Sequence, residues 1–576
     1  MRASFFGLHV ASSSLNTART GSTVTAHNMA NVGTPGFSRQ VAVQRASNPL
    51  HTHNATGMVG TGSEIIGIRQ IRSIPLDHRF WNESPMLGMH HVRASQLTMM
   101  ESGFGELEGV GLTSTFGSFF NSIQELSTDP SDPTLRNSFI QNIESLSRTI
   151  NDRANALRRQ QQDVNREVGA VVGIINNIGD QIANINRQIA RHEARGDHAN
   201  DLRDRRATLI DELSGLVNID VTETHVNGRD RFIIHIDGQQ FINDDIVQSL
   251  SLSQRPTGDE RFPTDAPNLY NIYIGGRPFR MESRTLTGEL RGLLDSRDGN
   301  ATRHPEGHPQ AGQPVGDHLR PGVQGNAFRG IPYYLERLNQ LVRTISDAFN
   351  LGLDANGDPI PGKMGHMNGF QHNGATANNI PLFVGNPLPD GVADAPVPNP
   401  ALTPAPDGGP VGDEFLADGT TPNPNYGMLA EIPANAYRGN INVFNFSINP
   451  EILANHLLLN TAGQAVNTGG NSDNSLVLAM AELANFESLF REGTINDFIN
   501  AVTGELAMDL RDAVTFTESQ TKTMEVIQNQ RISVKGVEMN EEMTNLIFFQ
   551  HHFQASSRLI SAMNDIYDTM INRMGV

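Results

Sequence analysis

From Leu546, alternate steps of three and four residues reach Phe549, Phe553, Ser556, Ile560, Met563, Tyr567, Met570 and Met574. Eight of these nine positions are apolar, and a 3.5-residue repeat keeps one stripe of a helix turned toward a second helix. No glycine or proline falls between Val537 and Met574, so the stretch reads as one amphipathic helix ending at Gly575. A lone helix with an open stripe is marginal in water. The stripe needs a partner, either the core of its own chain or another helix.

The opposite end of the chain offers one. The first acidic residue is Glu64, and before it stand Arg2, Arg19, Arg39 and Arg45 among many Ser, Thr, Asn and Ala residues. Leu8, Leu15, Ser22 and Met29 lie seven apart, with Ala11, Ala18, Thr25 and Val32 as the companion row. That predicts a second helix with a small, hydroxylated face, the natural complement of a Phe and Met stripe. It should stop at Asn31-Val32-Gly33-Thr34-Pro35-Gly36-Phe37, where glycines and a proline impose a turn. The run from Asn28 to Arg39, Asn-Met-Ala-Asn-Val-Gly-Thr-Pro-Gly-Phe-Ser-Arg, resembles the N-terminal signature of bacterial flagellar axial proteins, the rod, hook and hook-associated family.

Residues 40 to 87 alternate weakly and read as extended segments. A long helical block begins after Pro130, with Asp132 as a cap and Pro133 in the first turn, where its missing N–H costs nothing. Val164, Val168, Val171, Ile175, Ile178, Ile182, Ile185 and Ile189 keep 4-3 steps through it. Unbroken to Arg195, this helix is a rod about 95 Å long at about 1.5 Å per residue. Gly196-Asp197 supplies a stop and a new cap, and Leu202, Leu209, Leu213 and Leu216 carry a shorter helix back. Arg231 to Ile236, Asp237-Gly238 and Gln239 to Ile242 read as a hairpin with a two-residue turn, and Asn271 to Ile274 as a further strand. Helical pattern resumes at Gly288 to Asp295 and again from Tyr333 to Leu351.

From 352 to 438 the composition turns to Gly, Pro, Asn and Ala, which predicts a surface insertion. Asp354-Ala355-Asn356-Gly357-Asp358 has the look of a calcium loop, but Pro359 and Gly365 stand where that loop needs glycine and glutamate, so a plain turn is expected. Ile441 to Ile448 reads as a strand, and helices run from Ser475 to the end with breaks near Gly493, Gly504 and Gly536.

Charge and chemistry narrow the function. With 43 basic against 62 acidic residues and a net charge of −19, the chain is a poor match for phosphate backbones or anionic membrane surfaces. No run is apolar enough to span a bilayer, and no cleavable secretory signal is visible. There are no cysteines, hence no disulfides and no thiolate metal site. Nucleophile elbow, phosphate-binding loop and paired zinc histidines are all missing, so no active site, cofactor or metal is expected. Glu541-Glu542 is read as an acidic pair early on a helix, offsetting its dipole.

Further stretches sharpen the resemblance. Glu212 to Val217, Gly288 to Asp295, Gly536 to Leu546 and Phe553 to Ser561 are similar to the hook-associated proteins of the hook–filament junction, although Asn540 stands where their pattern has an acid. The resemblance implies a structural adaptor between hook and filament, exported unfolded through the flagellar type III secretion channel, acting outside the cell. It implies self-association in a ring, contact with the neighbouring hook protein and the second junction protein, and capture of the C-terminal region by a cytoplasmic export chaperone. Assembly and chaperone contacts are expected at Leu8, Leu15, Met29, Asn31 and Phe37, and at Leu546, Phe549, Phe553, Ile560, Met563, Tyr567, Met570 and Met574. Another axial protein, of hook or distal rod, and an axial scaffold carrying a peptidoglycan hydrolase are the alternatives.

The expected fold class is multidomain α+β, with coiled-coil terminal helices, a long helical-bundle rod and inserted small β domains. Residues 1–60 with 530–576 form the terminal domain, and 61–218, 284–355 and 439–529 the rod. A small β domain covers 219–283 and a variable insertion 356–438.

Overall fold

The structure is a computed structural model. It describes residues 6–51, 58–104, 111–226, 229–255, 265–281, 283, 285–301, 328–371, 380–385, 441–463 and 473–569. The chain opens with α1 (Phe6–Ala30), then β1 (Gln40–Ala46) paired antiparallel with β4 (Ser63–Gln70), the short β2 (Leu50–His51) and β3 (Met58–Val59) lying between them in sequence. Two helices follow, α2 (Ile74–Phe104), whose first half falls in the stretch to 87 expected to be extended, and α3 (Leu112–Thr128), inside the span expected to be rod. Pro85 sits inside α2. On α3 the buried Leu112, Phe116, Phe119, Ile123 and Leu126 keep 4-3 steps.

The rod helix is α4 (Pro133–Glu193), 61 residues long. Its start is capped by Asp132, whose side chain accepts a hydrogen bond from the Thr134 N–H at 2.7 Å. Seven of the eight Val and Ile positions predicted to face inward are buried, and Ile185 is half-buried. Gly196 turns the chain at φ +89°, but α5 (Asn200–Leu216) starts after Ala199, so Asp197 does not cap it.

Beside α4 lies the β region. β5 (Ile219–Val226), β6 (Arg229–Ile236), β7 (Gln239–Asn243) and β8 (Ile246–Val247) form a four-stranded sheet in chain order. Asp237 and Gly238, both at positive φ, make the predicted turn between β6 and β7. β9 (Leu250–Gln254), β10 (Tyr270–Ile274) and β11 (Arg277–Pro278) form a second sheet with β10 central. Amides on α4 pin these strands: Asn176 both donates to and accepts from the Leu250 backbone at 2.8 Å, and Asn186 donates to the Asp244 carbonyl at 2.7 Å.

α6 (Glu289–Asp298) and α7 (Ile331–Leu351) return to the rod, whose core runs through Phe119, Phe139, Phe349, Phe383 and Phe446. Neighbouring rings in this chain stand 4.9 to 5.8 Å apart. Phe383, in β13 (Phe383–Gly385), and Leu382 are fully buried, and Ile360 and Met367 nearly so. Thus Ile360, Met367, Leu382 and Phe383 belong to the core rather than to a surface insertion, while Asn356, Asp358 and Pro359 are exposed, and 372–379 and 386–440 lie outside the described residues. Asp354 accepts from the Asn356 and Asp358 N–H groups, which makes its loop a turn closed on itself.

Of the strand expected over 441–448, only β14 (Phe446–Ile448) forms, because Asn442 and Asn445 close a turn on each other's backbone first. β12 (Phe370–Gln371) pairs with β15 (Asn460–Ala462), with the short α8 (Pro450–Ala454) before it and α9 (Ser475–Glu482) after. α10 (Ile495–Lys535) begins on a capping box between Thr494 and Asp497 and runs unbroken through Gly504, packing along α2. After Gly536 the last helix, α11 (Met539–Asp568), lies against α1.

Candidate assembly interface

α1 and α11 are antiparallel, and their contacts repeat every seven residues on both helices. Met563 lies over Gly7, the Ser14 and Ser556 hydroxyls hydrogen-bond at 2.8 Å, the Phe549 ring lies on Gly21, and Asn28 donates to Glu542 at 3.0 Å. A methyl group on Gly21 would overlap the Phe549 ring. The row of α1 that meets α11 is therefore Gly7, Ser14, Gly21 and Asn28, one residue before the expected Leu8, Leu15, Ser22 and Met29. The companion row is buried at Ala11, Ala18 and Thr25, while Val32 is 46% exposed beyond the helix end. Phe and Met side chains need the absence of side chains opposite, and glycine provides it.

Leu8, Leu15 and Met29 are half-buried on the flank of α1. Asn31 closes the helix end, its side chain donating to the His27 carbonyl at 2.9 Å, and Phe37 meets the His27 ring edge-on at 5.4 Å. On α11, Leu546, Phe549, Ile560, Met563 and Tyr567 are half-buried. Phe553 is 40% exposed, so it is not a covered seam position. Met570 and Met574 lie outside the described residues. Only Glu542 and Ser556 on α11 are fully buried, while Met543, Ile547, Phe548, Leu559 and Ile566 are exposed.

The polar residues around the signature turn were not singled out by the repeat, yet they join the two chain ends to the rod. Arg39 donates through Nε to Glu542 at 2.7 Å and through Nη2 to Glu541 at 2.6 Å, so this acidic pair is a clamp as well as a dipole partner. Partial burial works against the Arg39 charge, but the hydrogen bond and charge of Glu541 with those of Glu542 outweigh it and raise its pKa. The Asn28 side chain spans the turn, donating to the Gln40 carbonyl and accepting from the Gln40 N–H. Ser38 donates from its backbone and its hydroxyl to Asp204 on α5, and Gln40 donates to Asp201. Burial raises the pKa of Asp204, against the pull of the Ser38 hydrogen bonds and Arg72.

A second set of ion pairs lies alongside. Arg531 of α10 binds Asp77 of α2 and Asp211 of α5, and Arg72 binds the other oxygen of Asp77. Trp81 donates to Asp211 at 2.7 Å. Burial, with Arg531 near by, lowers the pKa of Lys535, whose carbonyl accepts from the Arg39 N–H. Among the described residues no group of three His, Asp or Glu side chains could hold a metal ion, and no helix is long and apolar enough to cross a membrane.

Residues 97–364 match the family model described as the flagellar hook-associated protein FlgK helical domain, and 528–574 match that of the flagellar basal body rod FlgEFG protein C-terminal. Flagellar hook-associated protein 1 of Bacillus subtilis (strain 168) is 25% identical, aligned over 100% of this chain and 99% of its own. Those of Salmonella typhimurium and Escherichia coli (strain K12) are 24% and 25% identical, over 98% of both chains in each case. The flagellar hook junction protein FlgK from Burkholderia pseudomallei shares the fold, with a TM-score of 0.50 at 14% identity, over 78% of this chain and all of that one. A helical rod with its two chain ends paired at one joint, matched by these models, defines a structural protein of the flagellum. Over its full length the chain is similar to the flagellar hook-associated proteins 1.

Proposed function

We propose that this protein is a component of the hook–filament junction, a mechanical adaptor joining hook to filament. The observation that carries this is the terminal pair: two chain ends closed on each other, yet with an apolar row of α11 facing outward on a chain matched over its full length. A two-helix pair with one open side is incomplete alone and complete beside further helices. The relatives bear the names of flagellar structural parts, which supports a structural rather than an enzymatic role. On this reading the protein works outside the cell, after export through the flagellar channel.

Self-association in a ring, with the hook protein and the second junction protein on either side, is the assembly that the exposed α11 row fits. Capture of the C-terminal region by an export chaperone would cover the same row before assembly. The match of 528–574 to a rod-protein C-terminal model fits any axial subunit, and the helical-domain match over 97–364 favours the junction over hook or rod.

Deleting Leu546 to Val576 tests the proposal. The truncated chain should keep the far-ultraviolet helix signal of α4 and its neighbours, yet leave cells with hooks that carry no attached filament. Normal filament growth in that strain overturns the proposal.

A further inference from the structure

From α1 the chain reaches the rod through Asn31 to Arg39, the β1–β4 pair and residues 71–73, and from α10 it reaches α11 through Gly536 to Glu538. Around these two crossings the side chains are polar. Arg39, Arg72, Arg531 and Lys535 face Asp77, Asp204, Asp211, Glu541 and Glu542, and Asn28, Ser38 and Gln40 fill the spaces between them. The principal packing partner of α11 is α1, and its ties to the signature turn run through Arg39 and Asn28.

The three residues 38 to 40 are the centre of this belt. Ser38 and Gln40 hold α5 of the rod, the Arg39 N–H holds the last carbonyl of α10, and the Arg39 guanidinium holds the first turn of α11. Removing Arg39 would cut the rod's direct grip on α11 while leaving the Gly7, Ser14 and Gly21 contacts between α1 and α11 in place.

We infer that this belt is an angular latch, which sets the direction of the terminal pair relative to the rod and lets the pair swing about residues 31–39 and 536–538 when Arg39 is released. Charge-assisted hydrogen bonds suit such a role because they are directional, whereas an apolar contact tolerates sliding. Glu542 is buried, and its side-chain partners among the described residues are Arg39 and Asn28, so the closed angle is the one at which its charge is met. The latch goes beyond the junction role and is a property of the single molecule.

Paired spin labels test it on the full-length monomer, because a chain without cysteine takes labels only where cysteines are introduced. One pair, Lys522→Cys on α10 and Ser557→Cys on α11, reads the angle at the joint. A second, Asn16→Cys on α1 and Ser557→Cys, reads the terminal pair itself. In the otherwise native chain both should give narrow distance distributions. Arg39→Gln should broaden and shift the 522–557 distribution and leave 16–557 narrow, while Ser14→Ala, away from the joint, should change neither. The double variant Glu541→Gln with Glu542→Gln should repeat the Arg39→Gln result. An unchanged 522–557 distribution in both variants overturns the latch. Broadening of both pairs also overturns it, since Arg39 would then hold the helices to each other rather than set their angle.

Discussion

In the rod, the 4-3 repeat of α4 is buried almost residue after residue, and the rings of Phe119, Phe139, Phe349, Phe383 and Phe446 stack through the middle of the helices around it. On α11 the same spacing leaves five repeat positions half-buried, and a second apolar row stands outside them. Equal periodicity thus gives a finished core in one region and half of one in the other. The difference lies in how many elements converge: α2, α3, α5, α6, α7 and α10 gather on the rod, whereas α11 packs chiefly on α1. A hydrophobic repeat says that a helix has a partner face, and the number of neighbours decides whether that face is satisfied within the chain.

The sharpest way to break this contrast is to hollow the rod. Phe119→Ala should cost about 3–5 kcal/mol, as deletion of a fully buried ring does, read as a fall in the urea midpoint. A loss no larger than that of an exposed α11 residue would mean that the rod is not the self-sufficient part. The buried His366 offers a test without mutation of the rings. Its Nδ1–H donates to the Ile380 carbonyl at 2.7 Å and its Nε2 accepts from the Asn460 N–H at 2.9 Å, so both nitrogens are committed to the neutral form. Burial lowers its pKa to about 4, below the ordinary value of about 6.5. The unfolded chain therefore takes the proton first, and stability present above pH 6.5 should fall as pH drops toward 4, by roughly 3 kcal/mol. Urea titrations at both ends of that window check it, and His366→Gln should flatten the pH slope.

In the terminal pair the expected effects are smaller. Gly21→Val should cost about 1–3 kcal/mol by overpacking Phe549, and amide exchange should rise in 6–30 and 539–568 while the α4 amides stay protected. Phe553→Asp sits at the bottom of the scale, within about 0.5 kcal/mol for an exposed side chain. Its effect should appear in assembly instead, as filament subunits shed into the medium. If Phe553→Asp instead unfolds the monomer, α11 has a covered face that the contrast denies it.

Much of this architecture was legible from residue spacing. The cap at Asp132, the length of α4, the β6–β7 turn and the pairing of the two chain ends all follow from local signals that tertiary contacts did not override. The start of α2 reads as extended chain because Pro85 and Gly88 interrupt its pattern, although its His90 ring stacks on Phe516 of α10 and its Phe80 ring lies under Arg531. α3 carries a 4-3 repeat from Leu112 to Leu126 between flanking glycines, inside the span expected to be rod. Gly504 was expected to end a helix, but it keeps an ordinary helical conformation with open space around it, and α10 passes through. The Gly- and Pro-rich composition after 352 hid Leu382 and Phe383, two adjacent apolar residues that join the rod core.

At the interface, size misled where absence of size mattered. Leu8, Leu15 and Met29 drew attention as the large members of a heptad, but the contact row is the small one beside them. The Arg39 clamp had no signal in one sequence, since nothing in a lone arginine and a distant Glu-Glu pair says that they meet across some five hundred residues.

Teeth of equal pitch have a consequence for how a zipper closes. With a contact every seven residues, sliding α11 by one tooth keeps the pitch but sets Ser556 against a glycine and Met563 or Phe549 against Ser14. Asn28 and Glu542 act as the end-stop: only one alignment seats the carboxylate against both the amide and the guanidinium, and every shifted one strands a charge away from water.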